Sequence, residues 1–188
     1  ALVRIFYREA FMERELGSAI KRVLSGDIEA FGVIVEVCQG AVYNLAFRLL
    51  GDPEDARDVA QEAFLRAFRN LSFYDSRKPF IRWLLAITYN LSMDHLRRCT
   101  RERKALKEAS MLAERRRSDP HIQEVEVQDL LECLEDTDRA IVVLKYWHGL
   151  SCSEIGEIVG LGEGAVKVRL HRARLRLAEE LRRGGWQP

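Results

Sequence analysis

Residues 149–177 read GLSCSEIGEIVGLGEGAVKVRLHRARLRL, and this stretch decides the fold. Ser151-Cys152-Ser153-Glu154 is an S-x-x-E capping box, which opens a helix with Ile155, Ile158 and Val159 facing inward. Gly160-Leu161-Gly162 makes a turn. A last helix, over about 164–181, carries Val166, Leu170, Ala173 and Leu177 as its inward stripe. Two helices joined by so short a turn form a helix-turn-helix. Gly156 in mid-helix costs about 1 kcal/mol relative to Ala, so close approach of a neighbouring helix is expected there.

The outward face of the last helix follows from 100° per residue. Gly164, Val168, His171, Arg172 and Leu175 lie opposite the core, with Lys167 and Arg174 on one flank and Arg169 and Arg176 on the other. A helix lying in a major groove needs this layout, with base-reading side chains at the centre and phosphate-gripping cations at the edges. A solvated basic helix has the same composition. The combination of capping box, mid-helix Gly, short turn and flanking cations favours DNA. The candidate DNA-binding residues here are Ser153, Gly164, Lys167, Val168, Arg169, His171, Arg172 and Arg174.

The chain around this unit has 188 residues, 47% of them apolar, enough to build a core in one or two domains. Lys plus Arg (30) nearly balances Asp plus Glu (29), which excludes a uniformly basic histone-like protein. The balance hides segregation. Residues 97–117 hold nine basic residues against three acids, 119–138 hold eight acids and no Lys or Arg, and 163–183 hold seven basic residues against three acids. Two basic blocks around an acidic one fit two polyanion-facing surfaces; two solvated helix faces fit equally well on charge alone. No apolar run of about 18 residues is apparent, so no membrane insertion is expected. Arg4, Arg8 and Glu9 interrupt the N-terminal apolar stretch, so no signal peptide is expected. Cys38, Cys99, Cys133 and Cys152 form no CxxC pair, which fits a reducing cytoplasm. His95, His121, His148 and His171 have no visible ligand or nucleophile partners. No catalytic constellation, metal site or cofactor is expected.

The remainder also reads as helix, which makes the fold class all-α: two small helical domains joined by a flexible linker, the C-terminal one a helix-turn-helix. Helices are expected over 2–16, 18–24 and 28–50, with Gly51 ending the third. Asp52 then caps a helix with Pro53 at its first position and acids in its first turn. That helix carries Ala56, Val59, Ala60, Ala63, Phe64, Ala67 and Phe68 on one stripe, with Asp58, Gln61 and Glu62 off it. Over 70–79 a loop holds Phe73 and Tyr74. The helix of 80–98 has a core stripe of Phe80, Trp83, Leu84, Ile87 and Leu91, with Arg82, Tyr89, Asn90 and Arg97 on the opposite side. Residues 99–121 read as a linker, helical at most at its start. A helix is expected over 122–134, and Asp136 or Thr137 caps the next. The domains are therefore 1–16, an added amphipathic helix with Leu2, Ile5, Phe6 and Phe11; 17–98; the linker 99–121; and 122–183.

Residues 134–181, with the G-L-S-x-x-E-I helix and V-K-x-R-L-H-R-A-R, resemble region 4 of a bacterial sigma factor. Residues 51–71, GDPEDARDVAQEAFLRAFRNL, and 79–98, PFIRWLLAITYNLSMDHLRR, resemble region 2 of the extracytoplasmic-function group, and SGDIEAFGVIVE at 25–36 is similar to the usual opening of that group. The resemblance implies a factor that binds the clamp helices and flap of core RNA polymerase, recognises −35 and −10 promoter DNA, helps melt the −10 region and answers to an anti-sigma factor. It implies polymerase contact at Asp55, Asp58, Gln61 and Glu62. It implies −10 contact at Phe73, Tyr74, Arg77, Lys78, Arg82, Tyr89, Asn90 and Arg97, with the loop 71–78 accepting a flipped base. Trp83 lies on the core stripe and reads as structural. The alternative is a stand-alone helix-turn-helix regulator with an N-terminal sensing domain, which would not need the D-V-x-Q-E-x-F helix.

Overall fold

The computed structural model describes residues 2–109 and 124–183, with side chains described over 13–102 and 127–183. Its helices are α1 (Leu2–Leu24), α2 (Phe31–Leu50), α3 (Pro53–Arg69), α4 (Phe80–Ala109), α5 (Glu124–Glu132), α6 (Asp136–Tyr146), α7 (Cys152–Val159) and α8 (Glu163–Arg183). Short 3-10 turns at Ile28–Ala30 and Leu71–Phe73 precede α2 and follow α3. No strand occurs among the described residues.

The boundary between α2 and α3 forms as its residues dictate. Gly51 takes the left-handed conformation (φ 75°) and its N–H reaches the Phe47 carbonyl at 2.8 Å. Asp52 accepts from the Glu54 and Asp55 amides at 2.8 and 3.0 Å, with Pro53 at the first helical position. Small residues Ala56, Ala60, Ala63 and Ala67 then let α3 lie close against Ile34, Cys38 and Val42 of α2. Leu16 and Ile20 of α1 and Phe80 and Leu84 of α4 close this first core.

Several boundaries differ from expectation. The two helices expected over 2–24 are one, because Leu16, Ala19 and Ile20, which flank Gly17, are buried together against the core. Tertiary burial outweighs the roughly 1 kcal/mol that Gly costs. The stripe of Leu2, Ile5, Phe6 and Phe11 falls outside the described side chains. The expected linker is helical as far as Ala109, and its remainder lies outside the described residues. Glu135, not Asp136 or Thr137, is the N-cap of α6, without a side-chain cap. The segment Ile28–Leu50 is, by length and composition, apolar enough to cross a membrane, contrary to the sequence reading. In the fold its apolar face is a core face: Ile34, Val42, Leu45, Ala46 and Leu49 are fully buried.

Gly156 is required, for a different reason from the expected one. A Cβ there would stand 2.4 Å from the Leu161 carbonyl oxygen, so the inter-helix turn itself folds back onto α7. The Leu161 N–H donates to the Gly156 carbonyl at 3.0 Å.

The second core is shared by the two domains. Leu45 and Leu49 of α2 and Leu85, Tyr89 and Met93 of α4 are buried together with Leu131, Ile141, Leu144, Ile155, Val166 and Leu170 of the C-terminal half. Polar groups stitch the same seam. Arg139 donates to the carbonyls of Leu49 (2.8 Å), Leu131 (3.1 Å) and Leu134 (3.3 Å), and Gln128 donates to Arg48 O at 3.4 Å. The C-terminal domain thus caps orphan carbonyls at the end of α2.

Candidate nucleic-acid interface

The helix-turn-helix is built on the expected capping box. Ser151 accepts from the Glu154 amide, and the Glu154 carboxylate accepts from the Ser151 N–H at 2.7 Å. Gly160 closes α7 at φ 73°. Val166, Leu170 and Ala173 of α8 are buried, and Gly164, Val168, His171, Arg172 and Leu175 form an exposed line opposite them. Ser153 is exposed at the start of α7.

The flanking cations are not all available. Arg169 sits 2.6 Å from Asp138, a buried acid in the first turn of α6, and Arg176 approaches the same carboxylate at 4.0 Å. Arg169 therefore clamps α8 to α6 in addition to its expected place on the flank of the helix. Lys167 is paired with Glu163 one turn earlier at 2.6 Å, which raises its pKa. Arg174 lies over the Tyr146 ring and donates to its hydroxyl. Tyr146 and Asp138, both absent from the sequence reading, thus set where the cations of α8 point. Their partners lie 28 and 31 residues away, beyond any local spacing rule.

The residues expected at the −10 face divide into three groups. Phe73 is 82% exposed and Asn90 and Arg97 are exposed, with Arg97 held to Asp94 at 3.1 Å. Tyr74 is not a free stacking surface: its ring packs on Phe80 and Trp83 at 5.2 and 5.4 Å, and its hydroxyl donates to the Lys78 carbonyl. This packing agrees with a structural Trp83. Tyr89 is not on an open face either: it is buried in the shared core. Arg77 is forked onto Asp75, whose carboxyl the guanidinium holds at about 2. Lys78 and Arg82 reach across to the C-terminal domain, to Glu157 at 2.8 Å and Glu154 at 3.1 Å. Glu154 was read only as the capping-box acid and Glu157 was not singled out in the sequence.

On α3, Asp58 and Gln61 are exposed and Glu62 pairs with Arg66 at 2.9 Å. Asp55 turns aside to His95 of α4 at 3.1 Å, so His95 does have a carboxylate partner, and Cys99 Sγ lies 3.3 Å from the same ring nitrogen. Beside Gln61 a groove of about 570 Å³ runs between α2 and α3, lined by Val35, Tyr43, Arg57 and Phe64. At the domain seam, the Arg48 guanidinium stacks 4.2 Å over Trp147, and burial beside Arg48 pushes the His148 imidazole down to about 4. Among the described residues, no group of three or more His, Cys, Asp or Glu is placed to hold a metal.

Comparison with known proteins agrees with this geometry. Residues 34–102 match Sigma-70 region 2, and residues 124–177 match Sigma-70 region 4. The chain is 34% identical over 185 residues to the ECF RNA polymerase sigma factor SigW of Bacillus subtilis, covering 91% of this chain and 99% of that protein. It is 39% identical over 151 residues to ECF sigma factor SigE of Mycolicibacterium smegmatis, covering 74% of this chain and 57% of that protein. In structure it is similar to CnrH, solved in complex with the cytosolic domain of CnrY, at TM-score 0.65 and 28% identity, covering 90% of this chain and 97% of that one. The sigma factor RpoE of Bartonella quintana, solved with the anti-sigma factor NepR, shares the fold at TM-score 0.69 and 22% identity, covering 81% of this chain and 96% of that one. The α3–α4 unit with its exposed acidic-and-amide face, followed by the helix-turn-helix of α7 and α8, is thus that of the extracytoplasmic-function sigma factors of the sigma-70 family, to which this chain belongs.

Proposed function

We propose that the chain recruits core RNA polymerase through α3, reads a −35 element with α8, and opens the −10 region with α4 and the loop 71–78. The observation that carries this reading is the exposed line Gly164, Val168, His171 and Arg172 on a helix whose opposite face is fully committed to the core. Exposed Asp58 and Gln61, beside the groove between α2 and α3, offer the clamp helices both polar contacts and an apolar seat. Phe73, the most exposed large apolar side chain among the described residues, suits capture of an unstacked base. Aromatic stacking of this kind contributes about 1–3 kcal/mol per base.

In the closed arrangement the C-terminal domain covers Tyr89 and ties down Lys78 and Arg82. Engaging the −10 element through these residues requires the two domains to separate. A partner that holds them together keeps the factor inactive. CnrH was solved in complex with the cytosolic domain of CnrY and RpoE with the anti-sigma factor NepR, and an anti-sigma protein is the regulator proposed here. The test is a loop swap at 71–78 followed by permanganate footprinting of promoter complexes. The reading expects loss of −10 opening with −35 binding and polymerase affinity retained. Normal opening would make the loop a connector only.

A further inference from the structure

We infer that Val168 selects a thymine in the −35 element by packing on its 5-methyl group. The inference rests on the reading of α8 as the −35 helix and adds to it the chemistry of one contact. Four of the cations along α8 are engaged within the protein: Lys167 with Glu163, Arg169 and Arg176 with Asp138, and Arg174 with Tyr146. What remains on the outward line is Gly164, Val168, His171, Arg172 and Leu175. Val168 is 50% exposed and belongs to neither core, so the described residues give its two methyl groups no place in a core. A β-branched residue there also has poorer helix propensity than the Lys, Arg or Glu around it.

The neighbours define what Val168 meets. Gly164, one turn earlier, is exposed and open to solvent where a Cβ would stand. No side chain therefore holds the first turn of α8 away from a groove floor, and the next residue on that line is Val168. The major-groove edges present donors and acceptors, and one large apolar group, the thymine methyl. An amino or keto group against Val168 would lose water and gain no hydrogen bond. Leu175 is apolar and exposed too, but it lies two turns further on, whereas base contacts come from the N-terminal part of a recognition helix. Arg172 lies four residues beyond Val168, about 6 Å along the axis at 1.5 Å per residue. Its guanidinium matches guanine O6 and N7. The expected element therefore places a thymine about two base pairs from a guanine, at the 3.4 Å rise of each strand.

The experiment uses the whole chain bound to core polymerase. The preferred −35 sequence is first selected from a randomised duplex library. Each of its thymines is then replaced by deoxyuracil, which removes only the methyl group. The wild-type complex is expected to weaken about fourfold at one thymine, the effect of burying one methyl. Val168→Ala should bind the thymine duplex more weakly and no longer distinguish thymine from uracil there. An element without thymine, no uracil effect in the wild type, or an undiminished uracil effect in Val168→Ala would each overturn the inference. If Arg172→Ala also leaves −35 preference unchanged, the reading of α8 itself fails rather than this contact. A thermal melt of Val168→Ala keeps the comparison among folded proteins.

Discussion

At Gly156 a single missing atom allows α7 and α8 to meet at a short turn. The carbonyl of Leu161 occupies the space where any Cβ would stand, 2.4 Å away, and that carbonyl is backbone that cannot rotate aside. Gly156→Ala is expected to cost about 1–3 kcal/mol, the usual range for overpacking, measured by denaturant titration. His148 gives the fold a pH dependence between its ordinary pKa of 6.5 and about 4. Its Nε2 is buried with no hydrogen-bond partner among the described residues, and burial beside Arg48 pushes its pKa from 6.5 down to about 4. The unfolded chain takes up this proton first as pH falls. Stability from a neutral His148 is therefore complete above pH 6.5, declines between 6.5 and 4, and levels off below. The loss amounts to at most about 3 kcal/mol. His148→Phe should flatten the stability profile between pH 6.5 and 5, before the carboxylates titrate. An unchanged slope in a pH series of melts would contradict the burial of a neutral ring.

Among the elements, α3 and α7 were legible from sequence because each has one buried face. A single stripe of Ala56, Val59, Ala63 and Ala67, or of Ile155 and Ile158, fixes what points inward. Their caps are local as well: Asp52 and Ser151 bond amides two or three residues on. α4 was read less well because it has two buried faces. Phe80, Leu84 and Leu91 point into the first core, while Leu85, Tyr89 and Met93 point into the second. On an isolated helical wheel the second face counts as the outward one, so Tyr89 looked available to DNA. The same limit hid the ion pairs of Glu154 and Glu157, whose partners lie 72 and 79 residues earlier. Glu154 also serves the capping box, so it links the start of α7 to α4. Ser151→Ala is expected to destabilise the C-terminal domain by about 1 kcal/mol. Hydrogen exchange should show faster opening of α7 than of α3.

For the whole molecule, the shared core is what the two domains would have to give up for the proposed engagement of the −10 element. The exposed pair Lys78–Glu157 contributes little by itself, about 0–1 kcal/mol, and salt screens it, whereas Arg82–Glu154 is half-buried and less screened. The buried apolar seam and Arg139 hold the domains more firmly. Arg139→Ala leaves carbonyls of Leu49, Leu131 and Leu134 without this donor and is expected to cost about 1–3 kcal/mol. Small-angle scattering should show the variant expanded relative to the wild type at equal salt. Equal dimensions would mean that the apolar seam alone sets the closed form.

The most direct test of the account is transcription in a purified system, with core RNA polymerase, the chain and a library of randomised promoters. Transcripts should start downstream of one pair of spaced elements. Arg172→Ala should relax preference in the upstream element, and the pair Asp58→Lys with Glu62→Lys should abolish transcription by weakening polymerase binding while leaving the melt unchanged. Specific duplex binding by the chain alone, with no polymerase recruited and no promoter-dependent transcript, would contradict it.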